Sequence, residues 1–175
     1  QLVVTTKAEN DKQQAALKVA QDAVKKVKAD LDTANKTIST LQAKEKTLAA
    51  SMKTYAGQIK TYTAEQAAAA KTVAALAKVV PLLKETADKA KATAAKASGD
   101  KELAALATNL KAVYDKRNGV LLSARKTNEV KTKALTKSKA DLATAQKEDK
   151  AAKAGLVATK KRAEALTKAM KPAGE

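Results

Sequence analysis

Hydrophobic residues recur every seven positions along the first half of the chain, and a second such series follows three residues behind the first. The first series begins at Leu17 and the second at Ala20, and both keep one register as far as residue 97. Glu45 and Gln66 are the polar interruptions. A sustained period of about 3.5 residues is typical of a left-handed coiled coil. The pattern therefore predicts a first helical arm over residues 7–97.

A second, weaker heptad pattern follows over residues 101–171. Its two series begin at Leu103 and Ala107. Four polar residues interrupt these series: Arg117, Asn128, Lys131 and Asp149. Long polar side chains can lie along the seam while their charged ends stay in water, so we predict a second helical arm in spite of the interruptions.

A short turn over residues 98–100 separates the two arms. Gly99 suits the left-handed position that ends a helix, and Asp100 suits the N-cap of the next helix. So short a link makes neighbouring helices antiparallel. We predict an all-α fold, a long antiparallel coiled-coil helical hairpin in which residue i lies opposite about residue 198 − i. The first arm then extends about 25 residues beyond the second.

Pro81 and Gly57 leave other arrangements open. Proline inside a helix removes one hydrogen bond and costs about 3 kcal/mol unless the helix kinks or restarts. A kink at Pro81 agrees best with the unbroken heptad register. A second outcome is a helix that ends near Val79, with a new short helix from Pro81. A further break at Gly57 would give a three- or four-helix bundle.

The two ends of the chain are predicted to lie outside the arms. Residues 1–6 are rich in Val and Thr, which favour β structure, so we expect a strand-like or loose tail there. Residues 172–175 contain Pro and Gly and form a second tail. Because the chain begins with Gln1, we expect a processed product or a piece excised from a larger protein.

The composition favours a thin seam and gives no sign of catalysis. Ala fills 42 of the 175 positions, and the aromatic residues are three Tyr. Cys and His are absent, which excludes disulfides, thiolate nucleophiles and imidazole chemistry. No Gly-rich phosphate loop, carboxylate dyad or metal-ligand spacing appears. We predict no enzyme, no cofactor, no metal and no small-molecule substrate. No apolar run approaches the roughly 20 residues of a membrane span, so we also predict no transmembrane segment.

Positive charge dominates, with 35 basic against 18 acidic residues and a net charge of +17. The densest basic run lies between residues 116 and 139 and contains one acidic residue, Glu129. It contains no aromatic residue that could stack on a base, so sequence-specific recognition is not predicted. The run is a candidate site for nonspecific polyanion binding, and a solvated face is the alternative reading. Its cations are Lys116, Arg117, Arg125, Lys126, Lys131, Lys133, Lys137 and Lys139.

Five further residues are candidates for interaction. Leu17, Val24 and Val27 lie on the part of the first arm that the second arm does not reach. We predict that a second copy or another subunit covers them. Tyr55 and Tyr62 lie one heptad apart and could stack on a ligand or a base, with packing in the seam as the alternative.

Two stretches, "VVPLLKETADKAKATAAKASGDKELAALATNLK" and "NEVKTKALTKSKADLATAQK", resemble helical segments of very large planctomycete envelope proteins. The likeness is carried mainly by residues 81–84 and 100–103. In those proteins such segments join cytochrome-c-like, WD-repeat or immunoglobulin-like domains. The haem-attachment Cys and His of those domains are absent here, so no redox role is implied. The resemblance implies an exported bacterial segment in the envelope or outside the cell.

Two functions therefore fit the sequence. The first is a structural coiled-coil spacer or association module of an exported bacterial assembly, without catalysis. The second is a basic helical module that binds nucleic acid or another polyanion nonspecifically. The absence of Cys is compatible with the cytoplasm as well as with an oxidising compartment.

Overall fold

The computed structural model describes residues 2–170, and the side chains of residues 6–170. Helix α1 spans Leu2–Lys96 and helix α2 spans Lys101–Ala169. The two helices pack against each other, and no strand occurs among residues 2–170. The predicted all-α helical hairpin is confirmed.

The turn between the helices has the predicted chemistry. Gly99 adopts a φ of 112°, which is the left-handed region that glycine tolerates best. The Oδ1 atom of Asp100 accepts hydrogen bonds from the backbone N–H groups of Glu102 and Leu103, at 3.0 and 3.1 Å. Asp100 is therefore the N-cap of α2, and it satisfies two donors that the helix itself cannot satisfy.

Helix α1 continues through Pro81, so the predicted break near Val79 and the three- or four-helix bundle are wrong. Gly57 and Gly119 also lie inside helices. Val80 and Ala87, on either side of Pro81, are buried at the seam. Pro81 itself is exposed, so the seam packs on α2 without interruption past this residue. This packing offsets the cost of the hydrogen bond that proline cannot donate.

The expectation of a strand-like or loose tail over residues 1–6 is wrong for residues 2–6, because α1 begins at Leu2. Adding residues to an existing helix avoids the cost of nucleation, and this outweighs the weak β preference of Val and Thr. Gln1, residue 171 and the predicted tail at 172–175 lie outside the described residues.

The chain divides into two compact units, and each contains a segment of both helices. The first unit combines Gln1–Met52 with Thr144–Glu175, and the second is Lys53–Ala143, which includes the turn. In the second unit the hydroxyl of Ser138 donates to Oε1 of Gln58 at 3.4 Å. In the first unit a Cβ built on Gly155 would lie 3.5 Å from Cδ1 of Leu41. In both pairs the residue on α1 lies two positions before the one that the predicted register, residue 198 − i, places opposite.

The buried residues follow the two heptad series. All nine side chains that are buried in the described part of the chain belong to a predicted series. Arg117 is an exception to the prediction, because it is exposed and its neighbour Asn118 is half-buried instead. The buried residues are Ala34, Val80, Ala87, Leu121, Ser138, Ala145, Asp149, Ala152 and Ala163. Most of these are small, so the core is a thin seam.

Candidate association surfaces

The N-terminal part of α1 lies beyond the end of α2 in the first unit. Every described side chain from residue 6 to residue 26 is exposed, and Val27 is the first half-buried one. Leu17 and Val24 keep 59% and 55% of their surface exposed. Helix α2 ends at Ala169, which the pairing of Gly155 with Leu41 places opposite about residue 27 of α1. The described part of α2 therefore leaves Leu17 and Val24 uncovered.

The exposed positions continue the seam without a change of register. Leu17 and Val24 precede Leu31 by whole heptads, and Ala20 and Val27 precede Ala34 in the same way. Leu31 is half-buried and Ala34 is buried, so the same face of α1 is covered as soon as α2 begins. We call Leu17, Ala20, Val24 and Val27 the open seam. The first three are exposed, whereas Val27, at the end of α2, is half-buried, so the prediction that the second arm does not reach Val27 holds only in part.

Tyr55 and Tyr62 are half-buried in the second unit, as packing in the seam requires. The Nζ atom of Lys131 lies 5.9 Å from the centroid of the Tyr62 ring and 2.7 Å from Oε2 of Glu65. The close ion pair with Glu65 raises the pKa of Lys131. The ring of Tyr62 therefore already contacts a cation from α2.

The cations of the basic run do not share one face of α2. Arg125 and Lys139 lie two heptads apart and share a line along the helix, whereas Lys116 and Lys137 share a different one. Lys133 is bound to Glu129 at 2.5 Å, and this hydrogen bond lowers the pKa of Glu129. Within the described residues, six of the eight cations have no ion pair: Lys116, Arg117, Arg125, Lys126, Lys137 and Lys139.

A polar layer interrupts the seam in the first unit. Asp149 is buried, its Oδ2 lies 2.8 Å from Nζ of Lys153, and its Oδ1 has no hydrogen-bond partner. The same ammonium lies 3.9 Å from Oε1 of Glu45. The hydrogen bond to Asp149 raises the pKa of Lys153. Lys153 thus holds together the two polar interruptions that the heptad pattern showed at Glu45 and Asp149.

One side of the second unit carries exposed aliphatic residues, and the sequence reasoning missed it. These residues lie outside the seam, and 43% to 62% of each is exposed. A shallow groove of about 340 Å³ runs beside them and is lined by residues of both helices, including Thr72 and Val120. We call this surface the apolar flank; it consists of Val79, Leu82, Leu106, Val113, Val120 and Val130.

Helix α1 also contains the most hydrophobic stretch of the described chain. Within Thr6–Lys96 an 18-residue window has a mean hydropathy of 1.3, and 6% of this window is buried. By length and composition alone this helix could cross a membrane. The sequence-based prediction that no transmembrane segment exists stays a prediction.

No group of three or more potential metal ligands occurs in the part of the chain that the structure describes. The chain matches no family model, no curated protein and no solved structure. Its function is therefore inferred from the geometry of these surfaces.

Proposed function

We propose that the chain is a structural coiled-coil module that spaces and joins parts of an exported bacterial assembly, without catalysis. The observation that carries this proposal is the open seam, which continues the α1–α2 interface beyond the end of α2. Apolar residues in the heptad positions of an existing coiled coil are suited to contact another helix. The resemblance to envelope proteins adds the bacterial envelope or the extracellular space as the proposed location.

A second copy of the chain is the partner that best fits the open seam. In an antiparallel pair centred on residue 22, Leu17 packs opposite Val27 and Ala20 opposite Val24. The positions that flank this contact are Gln21 and Ala23, so no like charges meet. A shift by one heptad toward the N-terminus would place Val24 opposite Gln13 and Val27 opposite Asn10. The centred register is therefore the one that pairs apolar residues with each other.

Helix α2 limits the contact to the open seam. It covers the seam face of α1 from about residue 27 onward, so a partner helix in either direction meets α2 beyond that point. In the pair centred on residue 22, residues 2–16 of each copy lie opposite residues 28–42 of the other, so they pass beside α2 instead of pairing on the seam. Four small or medium apolar residues per chain bury a modest area, and we expect a dissociation constant of about 10–100 μM.

Sedimentation equilibrium of the whole chain tests the proposal. The wild type is expected to self-associate between about 5 and 500 μM, and Leu17→Gln/Val24→Gln is expected to weaken association about tenfold or more. Val19→Gln is the matched control, because Val19 is 70% exposed but lies outside the seam. A wild type that stays monomeric over this range, or equal loss in both variants, would contradict the proposal.

Polyanion binding is the second candidate function, and the six unpaired cations between residues 116 and 139 favour it. We propose that they attract nucleic acid or an acidic polysaccharide without sequence preference. Arg125→Gln/Lys126→Gln/Lys139→Gln is compared with Lys53→Gln/Lys60→Gln/Lys71→Gln, which removes the same charge elsewhere in the unit. Retention on heparin or double-stranded DNA above about 0.3 M salt, lost selectively in the first variant, supports a site. An equal decrease in retention for both variants indicates attraction to net charge alone.

A further inference from the structure

We propose that the apolar flank of the second unit binds the surface of anionic lipid membranes. The flank is a strip built from both helices. Leu106, Val113 and Val120 are spaced by sevens on α2, and Thr72 and Val79 are spaced by seven on α1. Thr72 and Val120 line the same groove, so the two lines lie side by side. This inference is independent of the open seam, which lies in the other unit.

The threonine hydroxyls in line with the flank residues can leave water without losing hydrogen bonds. They all donate to the backbone carbonyl four residues earlier in the same helix. The distances are 3.1 Å for Thr72, 2.8 Å for Thr86, 3.0 Å for Thr93 and 3.0 Å for Thr127. A hydroxyl that is satisfied within its own helix carries a small cost in an apolar environment. The strip can therefore enter the boundary between headgroups and acyl chains as an aliphatic surface.

The charges beside the strip favour an anionic partner. Lys89 lies one heptad after Leu82, and Lys116 lies two heptads before Val130, so both are in line with flank residues. Lys89 forms an ion pair with Glu85 at 2.6 Å, whereas Lys116 has no ion pair among the described residues. No carboxylate occupies a position in line with the flank residues between residues 72 and 93 or between residues 106 and 130. Flexible lysines beside an apolar surface can reach lipid phosphates while their stems contact the acyl boundary.

A lipid surface fits the strip better than a second copy or a protein partner. A second copy would bring the same lysines to both sides of the contact, and these like charges repel each other. The flank contains no aromatic residue and no deep pocket, whereas strong protein contacts depend on aromatic or arginine anchors. Shallow aliphatic surfaces with basic margins are typical of helices that lie in the membrane interface.

Co-sedimentation of the full chain with lipid vesicles tests the inference. The probes are phosphatidylcholine vesicles with and without about one third phosphatidylglycerol, in about 0.15 M salt. The wild type is expected to bind the anionic vesicles at least about tenfold more strongly than the neutral ones. Leu82→Gln/Val120→Gln should reduce this binding about tenfold. Leu122→Gln/Val157→Gln should leave it within about twofold, because these residues are equally exposed but lie off the flank.

Three results would overturn the inference. The first is absence of binding to the anionic vesicles. The second is equal binding by the flank and control variants, which indicates attraction to charge alone. The third is a flank variant that changes the sedimentation of the free protein while vesicle binding stays the same, which indicates that a second copy covers the flank. Far-UV circular dichroism establishes that each variant remains helical, and Leu17→Gln/Val24→Gln should bind vesicles as the wild type does.

Discussion

The ammonium of Lys131 on α2 lies 2.7 Å from the carboxylate of Glu65 on α1. The sequence places Lys131 both in the seam and in the basic run, and the structure gives it a partner across the seam. The ion pair with Glu65 raises the pKa of the ammonium, and Tyr62 lies beside the same group. A lysine in a seam position is tolerated here because its charge is matched by the opposite helix.

Removal of this ion pair should lower thermal stability without affecting polyanion binding. Lys131→Ala and Glu65→Gln are each expected to lower Tm by about 1–3 °C. The double variant should lose little more than the larger single loss, because both changes remove one interaction. Thermal melts followed by circular dichroism measure this, with Lys126→Ala as the control for an exposed, unpaired lysine. Strictly additive losses would show that the two residues act independently.

Asp149→Ala should stabilise the hairpin. Asp149 is 8% exposed, one of its carboxylate oxygens has no partner, and Ala145 and Ala152 lie beside it along the seam. Replacement removes a poorly satisfied buried charge and improves helix propensity, so the free energy of unfolding should rise by about 1–2 kcal/mol. Asp32→Ala, an exposed site in the same unit, should give only the propensity part of about 0.5 kcal/mol. Urea unfolding measures both variants. An equal rise in the free energy of unfolding for Asp149→Ala and Asp32→Ala would argue against a cost of burial at Asp149.

Alanine substitutions should separate the turn glycine from the helical glycines. No atom lies within 4 Å of a Cβ built on Gly57 or Gly119, so each Gly→Ala change should stabilise by about 0.5–1 kcal/mol. Gly99 has a φ of 112°, and Gly99→Ala should destabilise by about 1 kcal/mol or more. Urea unfolding measures all three. A gain in stability for Gly99→Ala would mean that the turn has a different backbone conformation.

Acid should weaken the helices through two carboxylates. Hydrogen bonds from Lys89 and Lys133 lower the pKa values of Glu85 and Glu129 below their ordinary value of 4.5. Because the folded pKa is lowered, the stabilisation is present above pH 4.5 and is lost as the pH falls through the folded value. The Tm should fall as the pH drops below about 4.5, and Glu85→Gln/Glu129→Gln should show a smaller fall. Identical pH profiles of Tm for the variant and the wild type would contradict this prediction.

The seam and the turn could be predicted from the sequence because both depend on local, repeating signals. The heptad series from Leu17 to Ala97 required only residue spacing, and Gly99 with Asp100 required only the chemistry of helix ends. The helical state of residues 2–6 could not be predicted in this way, because their β preference is weaker than the tendency of a long helix to extend. Asn118 lies at the seam in place of the predicted Arg117. This depends on the rotation of α2 about its own axis relative to α1, which the heptad count does not determine.

Only some of the candidate surfaces could be predicted from the sequence. Leu17 and Val24 were found because the overhang follows from the unequal lengths of the arms. The apolar flank was missed because the heptad test examines seam positions, although the sevenfold spacing of Leu106, Val113 and Val120 is visible in the sequence. The partnership of Lys131 with Glu65 links residues that are distant in sequence, so only the packed hairpin reveals it.

Cross-linking of single cysteines tests the open-seam pairing most directly. The chain has no cysteine, so a short bismaleimide reagent reacts only with the introduced thiol. In the antiparallel pair centred on residue 22, two copies of Ala23→Cys lie next to each other across the contact. Two copies of Ala16→Cys, on the same edge one heptad earlier, lie about 20 Å apart.

The proposed pairing predicts a covalent dimer of the whole chain for Ala23→Cys and none for Ala16→Cys. Self-association in sedimentation without a dimer of Ala23→Cys would overturn this register while leaving the association module intact. A dimer of Ala16→Cys alone would place the contact one or more heptads away. Equal dimers of both would contradict the antiparallel pair, and absence of any dimer together with a monomeric wild type would contradict the association module itself.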